Sequence, residues 1–261
     1  MQRDLINSFF TTIQINPNPK MKNTFTILLL ILTLTKVYSQ KTELKICLNT
    51  GLFSFTGNAA TSYTQIYSAQ PFFTGIINPY GKKSGVSGGL SLNLQRVLKE
   101  NIIFGMNAGY QSNQSKVLIN AVAYEDLATP MVVVNAKGQS YVTNSSIMVY
   151  PFCGYRFQIN EFPIYVVGGI NLDFISNTKE KGNATDANNT EYNGSVDIKT
   201  INLDVSPKIQ LATEYKKFGL VVGYSRGLVN YQKGNYANPN YTETREVYSK
   251  NINFGITYRL K

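Results

Sequence analysis

From Ile201 to Tyr215 the apolar residues keep to alternate positions. Ile201, Leu203, Val205, Pro207, Ile209, Leu211 and Tyr215 fall on one parity, and Asn202, Asp204, Ser206, Lys208, Gln210 and Glu214 on the other. A period of two puts these sets on opposite faces of a β-strand, one oily and one wet. The stretch is longer than the roughly 10 tilted residues that cross a hydrocarbon core, so it reads as a membrane-crossing strand.

The same alternation recurs in seven more segments: Glu43–Phe55, Gly85–Val97, Ile102–Gln111, Ser146–Phe157, Pro163–Phe174, Lys217–Leu228 and Asn251–Leu260. Between Gly85 and Val97, for example, Val86, Leu90, Leu92 and Leu94 oppose Ser87, Gly89, Ser91, Asn93 and Gln95. Two segments strain the rule. Phe53 and Phe55 fall on the polar parity of theirs, which predicts either a bulge at Gly51 or rings above the membrane. Pro151 sits inside another and cannot donate to a ladder, which costs a bond unless a bulge accommodates it.

The connections alternate as well. Those near Leu98–Asn101, Gln158–Phe162 and Lys216 are short, while the others are long and rich in Asn, Ser, Thr, Gly and Tyr. Short turns on one rim and long loops on the other is the asymmetry of outer-membrane barrels. The predicted fold is therefore all-β: an eight-stranded antiparallel transmembrane β-barrel, an up-and-down meander with a polar, filled lumen. Val117–Tyr124 and Met131–Asn135 are expected to prolong two strands as a hairpin beyond the bilayer, and Ser176–Asp197 reads as a mobile loop.

Composition adjusts this picture in a few places. Charged residues make up 15% of the chain, low for a soluble domain and suited to one with two partly uncharged surfaces. Met21-Lys22-Asn23 followed by the apolar run from Phe25 to Leu34, with Ser39 before Gln40, has the plan of a secretory signal peptide. The expected organisation is an upstream extension over residues 1–20, a signal peptide over 21–39 and the barrel over 40–261. Translation from Met21 would account for the polar stretch before it. The formal charge of +10 falls when the leader is set aside: four basic residues and one acidic residue leave with it, so 21 and 14 remain, a net +7. These charges are scattered without a basic run, and no nucleic-acid partner is expected. Cys47 faces the lumen and Cys153 lipid in this register, so both should be free thiols.

The mid-strand proline of Ile147–Phe157 and the terminal Asn253-Phe-Gly-Ile-Thr-Tyr-Arg-Leu-Lys261, together with the leader and the alternation, resemble the PorT-like family of small outer-membrane β-barrel proteins. The resemblance implies a place in the Gram-negative cell envelope, and some relatives are tied to a protein-secretion apparatus. The last strand is similar to the signal read by the barrel-insertion machinery, although this chain ends in Leu260-Lys261.

Several residues could carry chemistry. With odd strands running outward, Asp173 and Asp204 fall near the outer rim on neighbouring strands, facing the lumen. Two close carboxylates could hold a cation or share a proton, but neutralisation by Lys208 within a polar plug is the favoured reading. Lys45, Arg156, Glu214 and Arg259 gather near the inner rim, where charges in a lumen filled by side chains have to pair. Arg226 lies outward at the outer rim and suits lipid headgroups. Tyr110, Phe174 and Tyr224, and at the other end Tyr155, Phe157, Tyr215, Phe218 and Tyr258, match two interfacial girdles. Tyrosines in the loops, among them Tyr63, Tyr67, Tyr80, Tyr192, Tyr236 and Tyr241, suit a contact surface.

With no histidine the usual nucleophile pairs cannot be built, and no metal cage or phosphate loop appears. The chain is expected to be non-enzymatic, with no cofactor and no metal. The leading expectation is a surface protein whose loops bind an extracellular or envelope partner, or a scaffold in an envelope or secretion complex, with outer-membrane lipid around it. The alternatives are a narrow conduit for small solutes and a soluble periplasmic barrel with its oily face turned inward around an apolar ligand.

Overall fold

A computed structural model describes residues 41–69, 73–98, 100–126, 129–160, 162–232 and 245–260. The upstream extension and signal peptide expected over residues 1–39 lie outside the described residues, as do Tyr236 and Tyr241.

Among the described residues there are eleven strands: β1 (Lys41–Thr56), β2 (Tyr63–Ala69), β3 (Phe73–Ile76), β4 (Lys83–Val97), β5 (Ile102–Asp126), β6 (Thr129–Ile159), β7 (Phe162–Asp186), β8 (Glu191–Asp197), β9 (Leu203–Tyr215), β10 (Phe218–Arg226) and β11 (Tyr248–Arg259). Eight of them close a ring in the antiparallel order β1-β4-β5-β6-β7-β9-β10-β11, and β11 pairs back onto β1 from Lys45↔Arg259 to Thr56↔Tyr248. They match the eight segments that alternate in sequence. Closure leaves no edge in the bilayer, where an unpaired N–H or C=O would cost several kcal/mol or so.

Parity decides what faces out. Leu48, Leu90, Leu92, Ile209, Leu220 and Ile256 are all more than half exposed, whereas Ser87, Ser91, Asn107, Asn253 and Thr257 are buried in the lumen. This is the reverse of a soluble barrel, whose oily face would line the cavity. The exposed rings Tyr110, Phe174 and Tyr224 mark one edge of the apolar belt; Tyr155, Phe157, Tyr215, Phe218 and Tyr258 mark the other. The rings of Phe218 and Tyr258 meet at 5.2 Å in a tilted contact, as do those of Tyr155 and Phe157 at 4.9 Å. The molecule is thus an outer-membrane barrel, with its short turns at Asn101, Asn160 and Lys216 on the inner rim. These three turn residues adopt positive φ, which is uncommon for lysine. Cys47 is buried in the lumen and Cys153 exposed on the lipid face, both free, as the register predicts.

Neither of the two irregular segments contains a bulge at the expected place. β1 keeps one register through Gly51 against both neighbours, so Phe53 and Phe55 point into the barrel at its outer end. Around Pro151 the β6–β7 ladder lapses between Val149↔Leu172 and Phe152↔Gly169 and resumes in the same register.

The strands do not stop at the outer girdle. β5, β6 and β7 run on for 25, 31 and 25 residues, so the hairpin expected at Val117–Asn135 forms as a continuation of the barrel wall. β2 pairs with the upper part of β5 in parallel, with β3 beyond it, and β8 pairs with the upper part of β7. The segment Ser176–Asp197, read from sequence as a mobile loop, is this β7–β8 hairpin. Its turn is held by Asp186, whose Oδ1 accepts 2.8 Å bonds from the N–H groups of Asn188 and Thr190. Those donors hold the Asp186 carboxyl below its usual range. Ile66, Ile119, Val122, Ala136 and Ala184 form a separate small core in this outer extension.

Because Leu220 lies between the two girdles on the lipid face, Leu220→Arg should cost about 2 to 4 kcal/mol of unfolding free energy in lipid vesicles. Ile77→Arg, in the exposed outer region, should be close to neutral in the same urea titration.

Candidate functional site: a stoppered lumen beneath an outer cavity

The lumen is filled in three tiers. At the inner end Glu214, buried on β9, accepts from both Lys45 Nζ and Arg259, and Lys45 lies 3.1 Å from Glu43. Arg259 approaches the other oxygen of Glu43 at 3.7 Å, and Gln95 donates to Glu43 at 2.9 Å. Two carboxylates thus face two cations, the arrangement that buried charge requires. Of the four residues expected here, Lys45, Glu214 and Arg259 meet directly. Arg156 instead lies over the ring of Tyr165 at 5.6 Å, with Lys45 over the same ring at 4.8 Å. Glu43 was missed because it opens its strand, where alternation has only begun; its parity with Lys45 was the available signal.

The middle tier is apolar, a departure from the polar lumen expected. Met148, Tyr150 and Phe152 project inward from β6 and pack with Ile103, Tyr165 and Val167. Glycines make the room: a Cβ on Gly105 would come within 2.4 Å of the Phe152 ring. Lys208 Nζ sits 4.9 Å from the centre of the Tyr150 ring, and the Tyr150 hydroxyl donates to the Lys208 carbonyl at 3.2 Å. Between these tiers a void of about 40 Å³ remains, space for a water molecule or so and too small for a solute path.

At the outer end Asp173 and Asp204 stand directly opposite each other on β7 and β9, and Lys208 is close enough to interact electrostatically with Asp173. Each carboxylate has protein partners. Asn171 donates to Asp173 at 2.6 Å; Ser249 and Tyr231 donate to Asp204 at 2.5 and 3.1 Å. Tyr231 belongs to a lid. Its ring and that of Tyr80 pack edge-on against Phe55 at 4.9 and 5.1 Å, Phe53 lies 5.1 Å from Phe55, and Val142 and Val247 complete the cluster. Phe53 and Phe55 were singled out in sequence by their parity. Tyr231 had no such signal, since it lies in a connection and its partners come from β1, β9 and the segment before β4.

Arg226 ends β10 on the outward face, exposed beside Tyr224 and opposite Lys250. Two cations side by side at the girdle are well placed for headgroup phosphates.

Above the lid lies a cavity of about 730 Å³. Ala59, Ala60 and Tyr80 are shared with the lid beneath, Ile76 and Ile77 come from the end of β3, and Glu180 comes from β7. Glu180 is only 5% exposed. Burial pushes its carboxyl up to about 7, opposed in part by a hydrogen bond from the Ile76 N–H. The residue lies six positions beyond the girdle residue Phe174, outside the bilayer. No feature of the sequence marked it, because its segment read as a loop.

No protein-family model matches the chain, and a comparison with curated proteins finds no match. Among solved structures the chain is similar to Ail, the attachment invasion locus protein of Yersinia pestis, at 11% identity over 84% of this chain and 99% of that one, with a TM-score of 0.34. It is similar to Neisserial surface protein A at 9% identity over 84% and 98%, with a TM-score of 0.35. The translocator domain of the autotransporter NalP from Neisseria meningitidis aligns at 10% identity over 92% and 95%, with a TM-score of 0.26. With TM-scores this low, none of these likenesses carries weight for function.

Removing one member of the inner cluster strands its partners. Glu214→Ala should lower the unfolding free energy in vesicles by about 3 to 5 kcal/mol, the usual cost of leaving buried charges unpaired. The double variant Lys45→Met with Glu214→Leu should recover most of that loss.

Proposed function

We propose that the chain is a non-enzymatic surface protein of the outer membrane, in which the barrel is an anchor and the outer extension binds an extracellular or envelope partner. The observation that carries this reading is the contrast between the two ends of the molecule. The lumen is stoppered by charges, rings and a lid, whereas the outward side is built up into an extension of the wall with its own small core and an open cavity. Extending three barrel strands well past the membrane costs chain entropy that an anchor alone does not require. Exposed Tyr63, Ile77, Met131 and Val133 on that extension offer apolar contact to a partner. A scaffold role in an envelope or secretion complex uses the same surface, and the PorT-like resemblance of the middle and last strands favours it.

A conduit is the weaker reading because paired charges, inward rings and the aromatic lid occupy the lumen. Planar bilayers containing the purified barrel should show no steady single-channel current; a reproducible open level would move the assignment to a conduit. In cells, a photo-crosslinking residue at Ile77 should yield a discrete protein adduct and one at lipid-facing Leu48 none. Absence of an adduct from Ile77 and from Tyr63 would sink the surface-binding reading.

A further inference from the structure

The outer cavity has the size of a ligand site and more volume than a packing defect. Protein interiors hold few voids larger than a water molecule, and ligand pockets run from about 300 to 1,000 Å³; this one is about 730 Å³. It opens above the aromatic lid, on the outward side, so a solute reaches it without entering the barrel.

Its lining is specific in one respect. The wall is mixed: Ala59, Ala60, Ile76, Ile77 and Val196 alternate with neutral polar groups such as Asn58, Asn78 and Gln232. Into this wall the fold sets the carboxylate of Glu180, on the inward parity of β7 between Thr178 and Gly182. Burying a carboxylate is costly unless something compensates it. One hydrogen bond from the Ile76 N–H engages a group with about four acceptor positions, so capacity is left for a donor in the cavity. The other charged groups on the wall are Asp197 and Lys199, which follow β8, and Arg245, ahead of β11. All three are exposed, so water and salt screen them, and the buried carboxylate dominates recognition inside.

We propose that this cavity binds an organic cation of small-peptide size, whose ammonium or guanidinium group is held by Glu180 through charge-assisted hydrogen bonds while its apolar part lies over the Tyr80 lid. The proposal rests on the surface-binding reading and narrows it to one chemistry. A sign follows for pH. Glu180 titrates near 7, so it is mostly neutral at pH 6 and mostly ionised at pH 8. A permanently charged guest therefore binds more tightly as pH rises through that range, by about tenfold.

Calorimetric titration of the full-length barrel in nanodiscs with the tripeptide Ala-Lys-Ala, blocked at both ends, tests this against the same peptide carrying acetyl-lysine. The lysine peptide should bind, with an affinity about tenfold higher at pH 8 than at pH 6. The acetylated twin should bind at least tenfold more weakly at pH 8. Glu180→Gln, which keeps shape and the Ile76 contact, should lose the preference and the pH dependence while retaining the heat-modifiable gel mobility of a folded barrel. Equal binding of the two peptides, binding by neither, or wild-type behaviour of Glu180→Gln overturns the proposal. If Ile77 or Tyr63 still crosslinks a protein in cells when the peptides fail, the cation site is wrong and the surface-binding reading stands; if the peptides and both crosslinking positions fail, so does that reading.

Discussion

Everything in this molecule follows from the requirement that backbone polar groups inside a bilayer be satisfied by the protein itself. Closure of β11 onto β1 meets it, and closure fixes the rest. Once the ring is shut, each residue has only two places to go. The odd parity of the strand from Leu203 to Tyr215 meets lipid, and the even parity meets whatever fills an eight-stranded barrel, which is wide enough for side chains and little more. The exposed leucines and isoleucines that would signal aggregation in a soluble protein are here a solvent match.

Filling the interior is the second problem, and the chain solves it differently along the axis. Near the inner rim the charges of Glu43, Lys45, Glu214 and Arg259 satisfy one another. Deeper in, Tyr150 and Phe152 occupy space that glycines on facing strands give up. At the outer end four aromatic rings close the barrel in edge-on contacts, each worth about 0.5 to 1.5 kcal/mol beyond burial. The Tyr231 hydroxyl ties that lid to Asp204, so a carboxylate that by itself suggests an ion site acts as the latch of a stopper. A lumen committed in this way to packing has little freedom left for transport.

What could be read from the sequence follows the range of the interactions. Alternation is local, so Val86, Leu90, Leu92 and Leu94 announced their face. Register between neighbouring strands could also be followed, and Asp173 and Asp204 meet across β7 and β9 as bookkeeping along the strands implies, although a long connection separates them. The failures are of two kinds. Asn and Thr between Asn183 and Thr190 look like loop composition, but Asp186 uses its side chain to cap a tight turn, and a turn so capped lets β7 and β8 pair. The other kind is long-range. The parallel docking of β2 on β5 and the meeting of Tyr80 and Tyr231 over Phe55 join segments that share no local pattern, and periodicity is silent on both.

The outer extension is where the constraint of closure lapses, and its construction shows it. Above the girdle water can satisfy backbone groups, so β3 and β8 can end the sheet as edges, which the bilayer would forbid. The wall need not shut, and between the end of β3, the end of β8 and the lid it leaves an opening instead of a seam. Glu180 stands at that opening. In the membrane-spanning part each buried carboxylate meets cations, hydroxyls or amides of the chain; in the extension this one is set into the wall of a cavity. The same sheet therefore has two regimes, one packed full by its own side chains and one in which room is left for an answer from outside. The boundary between them is the aromatic lid.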